Sequence, residues 1–148
     1  MKVSGTYKLP MAPERAYAIL QDPEILAQCL PGCDQLVQFA EHEYQMKLKM
    51  VLASISGQFD GKVRVADRQA PGSFRLIVEG QGKIGFVKGD GLLTLSGDGG
   101  GTQVSYDGQV NIGGAIAAVG QRLLDATSKM MIRKFFEKLA QTPAVAQL

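Results

Sequence analysis

"GQGKIGFVKGDG", residues 80–91, holds five glycines in twelve positions. Its first eight residues fit both G-x-G-x-x-G and G-x-G-x-x-G-x-V, the patterns of dinucleotide and kinase phosphate loops. How this stretch is read decides the fold. A dinucleotide loop needs its glycines on a turn between a strand and a helix, so that the helix N-terminus faces the pyrophosphate. Here the chain continues as "FVKGDGLLTLSG", which has the pattern of a strand and hairpin, and helical spacing returns only after Gly114. A kinase loop needs a lysine-bearing strand, an H-R-D loop and a D-F-G motif downstream, and the sequence has none of these. Glycine inside a strand marks a bend, a bulge, or close approach by backbone or ligand. The stretch therefore reads as two adjacent strands loosened to bend, with Ile84 and Phe86 directed inward. Two roles stay open for it: packing alone, or the wall or gate of a ligand site.

On both sides of this stretch the apolar residues recur with period two. In "YQMKLKMVL" Tyr44, Met46, Leu48, Met50 and Leu52 share a face, and in "GQFDGKVRVAD" so do Phe59, Gly61, Val63 and Val65. Phe74, Leu76 and Val78 follow, then Val104, Tyr106, Gly108, Val110 and Ile112. One wet face and one dry face define a half-covered antiparallel sheet. "APGS" (70–73) and "SGDGGGT" (96–102) supply the hairpin turns.

Residues 2–9 read as a first strand. Two short helices follow in "APERAYAILQDPEILAQCLPGC", with Pro13 at one start and Asp22-Pro23 as N-cap and first turn of the next. Pro31-Gly32 closes the second. The last element reads as one long helix from after "NIGG" to about Ala140. Its apolar stripe is Ile116, Val119, Leu123, Met130 and Met131, with Gly120 and Thr127 on the same side, laid across the dry face. The predicted class is α+β: a curved antiparallel sheet of six to seven strands around a long C-terminal helix, with two short helices after the first strand. Residues 1–141 form one domain and 142–148 a short tail.

One helix cannot fill the hollow of so broad a sheet where the facing positions Gly61, Gly80, Gly82, Gly108 and Gly120 are small. An enclosed apolar cavity follows, and such cavities hold ligands. The inward positions give its candidate lining: Leu26 and Leu30 on the second helix, Phe59, Phe74, Phe86 and Tyr106 on strands, Val119, Leu123 and Met130 on the long helix. Taken singly, each of these reads as a core residue before a ligand contact, and Tyr106 carries a hydroxyl suited to a quinone carbonyl.

Net charge is +2, too small for a nucleic-acid field. The N-terminus lacks a signal-peptide pattern and no apolar run reaches the ~18 residues that span a bilayer, so the expected location is cytoplasmic. Cys29 and Cys33, in "CLPGC", read as two thiols near a turn, because a redox pair is normally spaced C-x-x-C. His42 is the only histidine and lies in the polar "AEHEY". Asp60, Asp67 and Asp107 fall on the wet face. No Ser/His/Asp set, metal cluster or cofactor motif emerges, and the expectation is a protein that is not an enzyme, without cofactor or metal.

"DPEILAQCLPGCDQL", "GKVRVAD", "GQGKIGFVKGDGLLTL" and "NIGGAIAAVGQRLLDATSKMMIRKFFEKLA" together resemble the G-subunit family of carbon monoxide dehydrogenase, over about residues 1–140. That family belongs to the START-like, helix-grip (SRPBCC) superfamily of lipid- and polyketide-binding proteins. The resemblance implies a non-catalytic accessory of a molybdenum hydroxylase such as aerobic carbon monoxide dehydrogenase, with a quinone or lipid in its cavity, recruiting the enzyme to the membrane or coupling it to quinone. A pure assembly factor with no small-molecule ligand is the alternative. Some relatives carry a C-terminal hydrophobic anchor. "TPAVAQL" is no such anchor, so peripheral contact on the inner face of the cell membrane is the expectation.

Past Met131 the apolar positions of the last helix become Ile132, Phe135, Phe136 and Leu139, centred about 120–140° round from the first stripe. Two accounts stay open: packing on the N-terminal helices, or an exposed Phe135/Phe136 patch. Beside Lys129, Arg133, Lys134 and Lys138, such a patch suits an anionic membrane or a partner enzyme.

Overall fold

The computed structural model describes residues 1–141; the predicted tail 142–148 lies outside the described residues. The elements run β1 (Lys2–Leu9), α1 (Pro13–Ile19), α2 (Pro23–Cys29), β2 (Cys33–Ala40), β3 (Glu43–Leu52), β4 (Ile55–Gln69), β5 (Ser73–Gly82), β6 (Gly85–Asp98) and β7 (Gly101–Gly113). A 3₁₀ turn (Ala115–Val119) and α3 (Gln121–Gln141) complete the chain. All seven strands form one antiparallel sheet in the order β1-β7-β6-β5-β4-β3-β2. Only the β1 pairing is distant in sequence, and it brings Tyr7 opposite Val104 and Gly5 opposite Tyr106.

Both N-terminal helices are short and start on proline, whose missing N–H costs nothing at the first helical turn. Asp22 caps α2: its Oδ1 accepts from the N–H groups of Glu24 (3.0 Å) and Ile25 (3.4 Å). Side-chain hydrogen bonds pin this region to the sheet, among them Arg68 Nε donating to Gln21 Oε1 (2.9 Å). Thr102 Oγ1 donates to the Met11 carbonyl (2.7 Å), Tyr17 to that of Ser73 (3.1 Å), and Tyr44 to that of Gln21 (3.2 Å).

The predicted strand faces hold. Cross-strand partners share a face, and the pairing rows Tyr44–Val63–Val78–Gly89–Val110 and Met46–Gly61–Gly80–Val87–Ile112 run across the dry side. Phe86 departs from its expectation. Gly82 pairs with Gly85, leaving Lys83 and Ile84 as a two-residue turn, so Phe86 stands opposite Gln81 on the outer face and is 42% exposed. Ile84 packs inside, as expected.

The last helix also differs. Gly120, at φ +99, ends the 3₁₀ turn and resets the chain before α3 begins. The break shifts the helical phase by about one residue, so the stripe drawn from Ile116 and Val119 does not continue through Leu123. Leu124, Phe136 and Leu139 are the buried positions of α3, while Leu123 is 36% exposed. Gly120 itself is exposed and faces no part of the sheet within van der Waals range.

Candidate functional site: a partly covered band between two cores

The buried residues form two separate clusters. The larger joins α1, α2 and the end of α3 to the sheet through Leu9, Ile19, Phe74, Val104, Phe136 and Leu139, among others. The smaller, at the opposite end, is Leu52, Phe59, Ile116 and Leu124, with Met1, Met50, Ile84, Val87, Ile112 and Val119 packed against it.

Between the clusters the sheet presents side chains that belong to neither. Val3, Met46, Leu48, Val78 and Val110 lie on the dry face by pairing register, yet each remains partly accessible. Alongside them runs an oblique line of inward glycines: Gly61 paired with Gly80, then Gly89, then Gly91 paired with Gly108. A methyl group added at Gly80, Gly89 or Gly91 would meet nothing nearer than 3.5 Å, and its nearest neighbours would all be sheet atoms. Helix α3 therefore does not press onto this part of the sheet. It packs chiefly against β1 and α2. Its flank carrying Leu123, Met130 and Met131 is likewise only partly covered. Apolar residues on the dry face of the sheet and on one flank of α3 are thus left partly accessible between the two clusters.

The predicted lining residues divide among these regions. Phe74 is fully buried in the larger cluster, edge-on to Tyr17 with ring centroids 5.5 Å apart. Phe59 and Val119 belong to the smaller cluster. Leu26 and Leu30 are half-buried at the end of α2, Met130 is half-buried on α3, and Leu123 is on its exposed margin. Phe86 is outside. Tyr106 is inward and half-buried, and its ring lies flat over Gly5, where any side chain would collide with the hydroxyl. Burial pushes its phenol pKa up, and the neighbouring Tyr7 adds to the shift. The residues that sequence reasoning passed over are Val3, Gly89 and Gly91. Their inward direction follows from strand register, which alternation alone does not fix.

At the predicted docking surface, Phe136 is buried against Tyr7 and Phe135 is half-buried on the larger cluster. Packing on the core is the outcome, and Phe136 offers nothing to a membrane. The cations remain exposed. Lys129 pairs with Asp125 (3.0 Å) and Arg133 approaches Glu137 (3.9 Å), while Lys134 and Lys138 make no ion pair among the described residues.

A groove of about 790 Å³ crosses the outer face, lined by Lys47, Asp60, Lys62, Glu79, Phe86 and Lys88 among others. Its interleaved charges make it a wet surface feature, distinct from the inner band. Cys29 and Cys33 are both free thiols, Cys29 fully buried. Burial raises both pKa values, opposed at Cys29 by Lys138 and at Cys33 by a hydrogen bond to the Gln35 carbonyl. Among the described residues no three His, Cys, Asp or Glu side chains could hold a metal, and no helix is long and apolar enough to cross a membrane.

A seven-stranded antiparallel sheet curved about a C-terminal helix, with two short helices after the first strand, is the START-like fold. A START superfamily protein from Mycobacterium smegmatis superposes with a TM-score of 0.70 at 15% identity, covering 99% of this chain and 97% of that one. A STAR-related lipid transfer protein from Xanthomonas axonopodis gives 0.66 at 18%, covering 95% and 86%. The family model for the carbon monoxide dehydrogenase G-subunit (CoxG) matches residues 5–143, and the chain belongs to that family. A conserved protein from Geobacillus kaustophilus is similar throughout, with 32% identity, a TM-score of 0.92 and coverage of 99% and 96%. A search of curated proteins found no match.

Proposed function

We propose that this protein is a non-catalytic carrier for a hydrophobic molecule, held in the band between the two cores, and that it serves a molybdenum hydroxylase of the carbon monoxide dehydrogenase type. The observation that carries the reading is the dry-face surface of Val3, Met46, Leu48, Val78 and Val110, which belongs to neither core and stays partly accessible. Exposing that much apolar surface to water is unfavourable, by about 25 cal/mol per Å². A ligand with an apolar tail removes the penalty. Family membership supports the partner, and the lipid-transfer neighbour supports the ligand class.

A quinone or another isoprenoid-tailed lipid fits an interior that is apolar along its length and has the Tyr7 and Tyr106 phenols near its margin. Lys134 and Lys138, which make no ion pair among the described residues, form a basic strip on α3 with Lys129 and Arg133. With Phe136 withdrawn into the core, the strip acts chiefly by charge and suits an acidic surface on a partner enzyme. The protein acts on the cytoplasmic side, exchanging its ligand at the inner face of the cell membrane.

Native mass spectrometry of the protein from its own host, followed by solvent extraction, tests the reading. A stoichiometric hydrophobic molecule is expected. Finding none, and seeing none bind when quinones and lipids are added, leaves the assembly-factor alternative.

A further inference from the structure

The sheet is open, and its two edges differ. At one edge stands β1, which carries Lys2 and Lys8 and has α3 packed against it. At the other stands β2, whose residues 35–39, "QLVQF", hold no charge, proline or glycine. Edge strands are ordinarily blunted by such residues or by a covering element, because their free N–H and C=O groups pair with another strand. Among the described residues, no backbone hydrogen bond beyond the ladder with β3 engages residues 34–39. Two carbonyls of β2, those of Gln35 and Ala40, accept from side chains of the same strand, Cys33 Sγ (3.5 Å) and Gln38 Nε2 (3.2 Å).

Val37 and Phe39 lie on the outer face. Val37 pairs with Gln45, and the Lys62 ammonium stands 5.9 Å from the centroid of the Phe39 ring. Each is 47% exposed. Leu36 points inward, paired with Met46, and packs on the larger cluster. A strand that extends the sheet must match these faces, since opposite residues of an antiparallel pair project to the same side. A second β2 does so when Val37 stands opposite itself. Leu36 then faces the partner's Gln38, Gln35 faces the partner's Phe39, and the Val37 and Phe39 side chains of both copies gather about the two-fold axis.

The charges permit this pairing, because none lies within the paired stretch. Beyond each of its ends are Asp34 with Lys49 (3.5 Å) from one copy, and Glu41 and Arg68, both beside His42, from the other. Anions and cations there are equal in number. On the outer face, Lys47 and Lys62 stand one and two strands inside the edge, opposite Asp60 and Glu79.

We infer that the β2 edge is the interaction surface for a second copy of this chain, joined antiparallel through residues 35–39 about a two-fold axis at Val37. The ladder with β3 is irregular beside Asp34 and beside Phe39, which keeps the stretch short. Stable interfaces bury about 1,200–2,000 Å² from roughly 20–30 residues a side. Five paired residues give less, so the dimer is weak and reversible. With β1 protected, assembly closes at two copies. The surface uses neither the inner band nor the strip on α3, so this pairing and the carrier reading stand or fall separately.

Sedimentation velocity of the full chain, from about 1 μM to about 1 mM, should show a monomer–dimer equilibrium. Val37→Lys sets like charges opposite each other at the axis and should leave only monomer, with the circular dichroism and melting temperature of the parent. Cross-linking reads the register. In a Cys33→Ser background, with Cys29 buried, Val37→Cys puts two thiols at directly opposite positions. Their Cα atoms would stand about 4.5–5.5 Å apart, within disulfide reach, and mild oxidation should give a covalent dimer. Phe39→Cys, at an equally exposed site, would lie about 13 Å along the strands from its counterpart and should not cross-link. A parent that stays monomeric over the whole range overturns the proposal. So does a dimer that survives Val37→Lys, or a Phe39→Cys chain that cross-links as fast as Val37→Cys.

Discussion

The ring of Phe136 on α3 lies on the ring of Tyr7 on β1, with centroids 4.7 Å apart and planes within 11°. Tyr106 completes a near-parallel set, 6.3 Å from each. This contact anchors the C-terminal half of α3 to the edge of the sheet and leaves the sheet's centre uncovered. Replacing Phe136 by Ala removes a buried ring and is expected to cost about 3–5 kcal/mol. Urea unfolding measures it, and a loss below about 1 kcal/mol would show that α3 is held by other contacts.

The glycine line separates two kinds of position. At Gly89 an added methyl has room, with its nearest neighbour at 3.8 Å; at Gly61 it would stand 2.5 Å from the Glu79 carbonyl oxygen. Gly89→Ala is expected to be neutral or stabilising by up to about 1 kcal/mol, through reduced freedom of the unfolded chain. Gly61→Ala forces the sheet apart and destabilises. Thermal melts of the two variants should move in opposite directions or differ clearly in size.

Relief of backbone strain should show at the hairpin tip. Ala53→Gly removes a left-handed alanine and is expected to stabilise by roughly 1 kcal/mol. Thermal melts check it: the Ala53→Gly midpoint should lie above that of the parent.

The buried thiols and phenols set an alkaline limit. Cys29, Cys33, Tyr44 and Tyr106 all have pKa values raised chiefly by burial. A raised folded-state pKa means that the fold favours the protonated form. The associated stability is fully present below the unfolded-chain values, about 8.5 for cysteine and about 10 for tyrosine. It is lost as pH rises through the folded-state values. Denaturant midpoints should thus decline above about pH 8.5, and alkylation at Cys29 should lag behind that at Cys33, which is the less buried.

Much of the fold is legible in the sequence because alternation survives burial: Tyr44 to Leu52 and Val104 to Ile112 each keep one dry face over their full length. Two local events are not. Periodicity cannot see the phase change at Gly120, whose left-handed backbone separates Ile116 and Val119 from α3, so an unbroken helix puts Leu123 where Leu124 lies. Likewise the face of Phe86 depends on whether the turn before it holds two residues or three, a choice made by the Gly82–Gly85 pairing. The candidate site is the least legible part. Its walls are defined by which inward residues nothing covers, a property of how α3 leans toward β1 and α2.

The central claim is that the band between the two cores holds a ligand, and mass spectrometry on a pair of proteins tests it most directly. The parent chain and Gly89→Leu, which projects a side chain into the band, are purified from the same host and analysed under native conditions. The parent should carry one hydrophobic molecule per chain, and the variant should fold equally well yet carry little or none. A parent that arrives empty and takes up no quinone or lipid on addition would contradict the account, as would a variant loaded as fully as the parent.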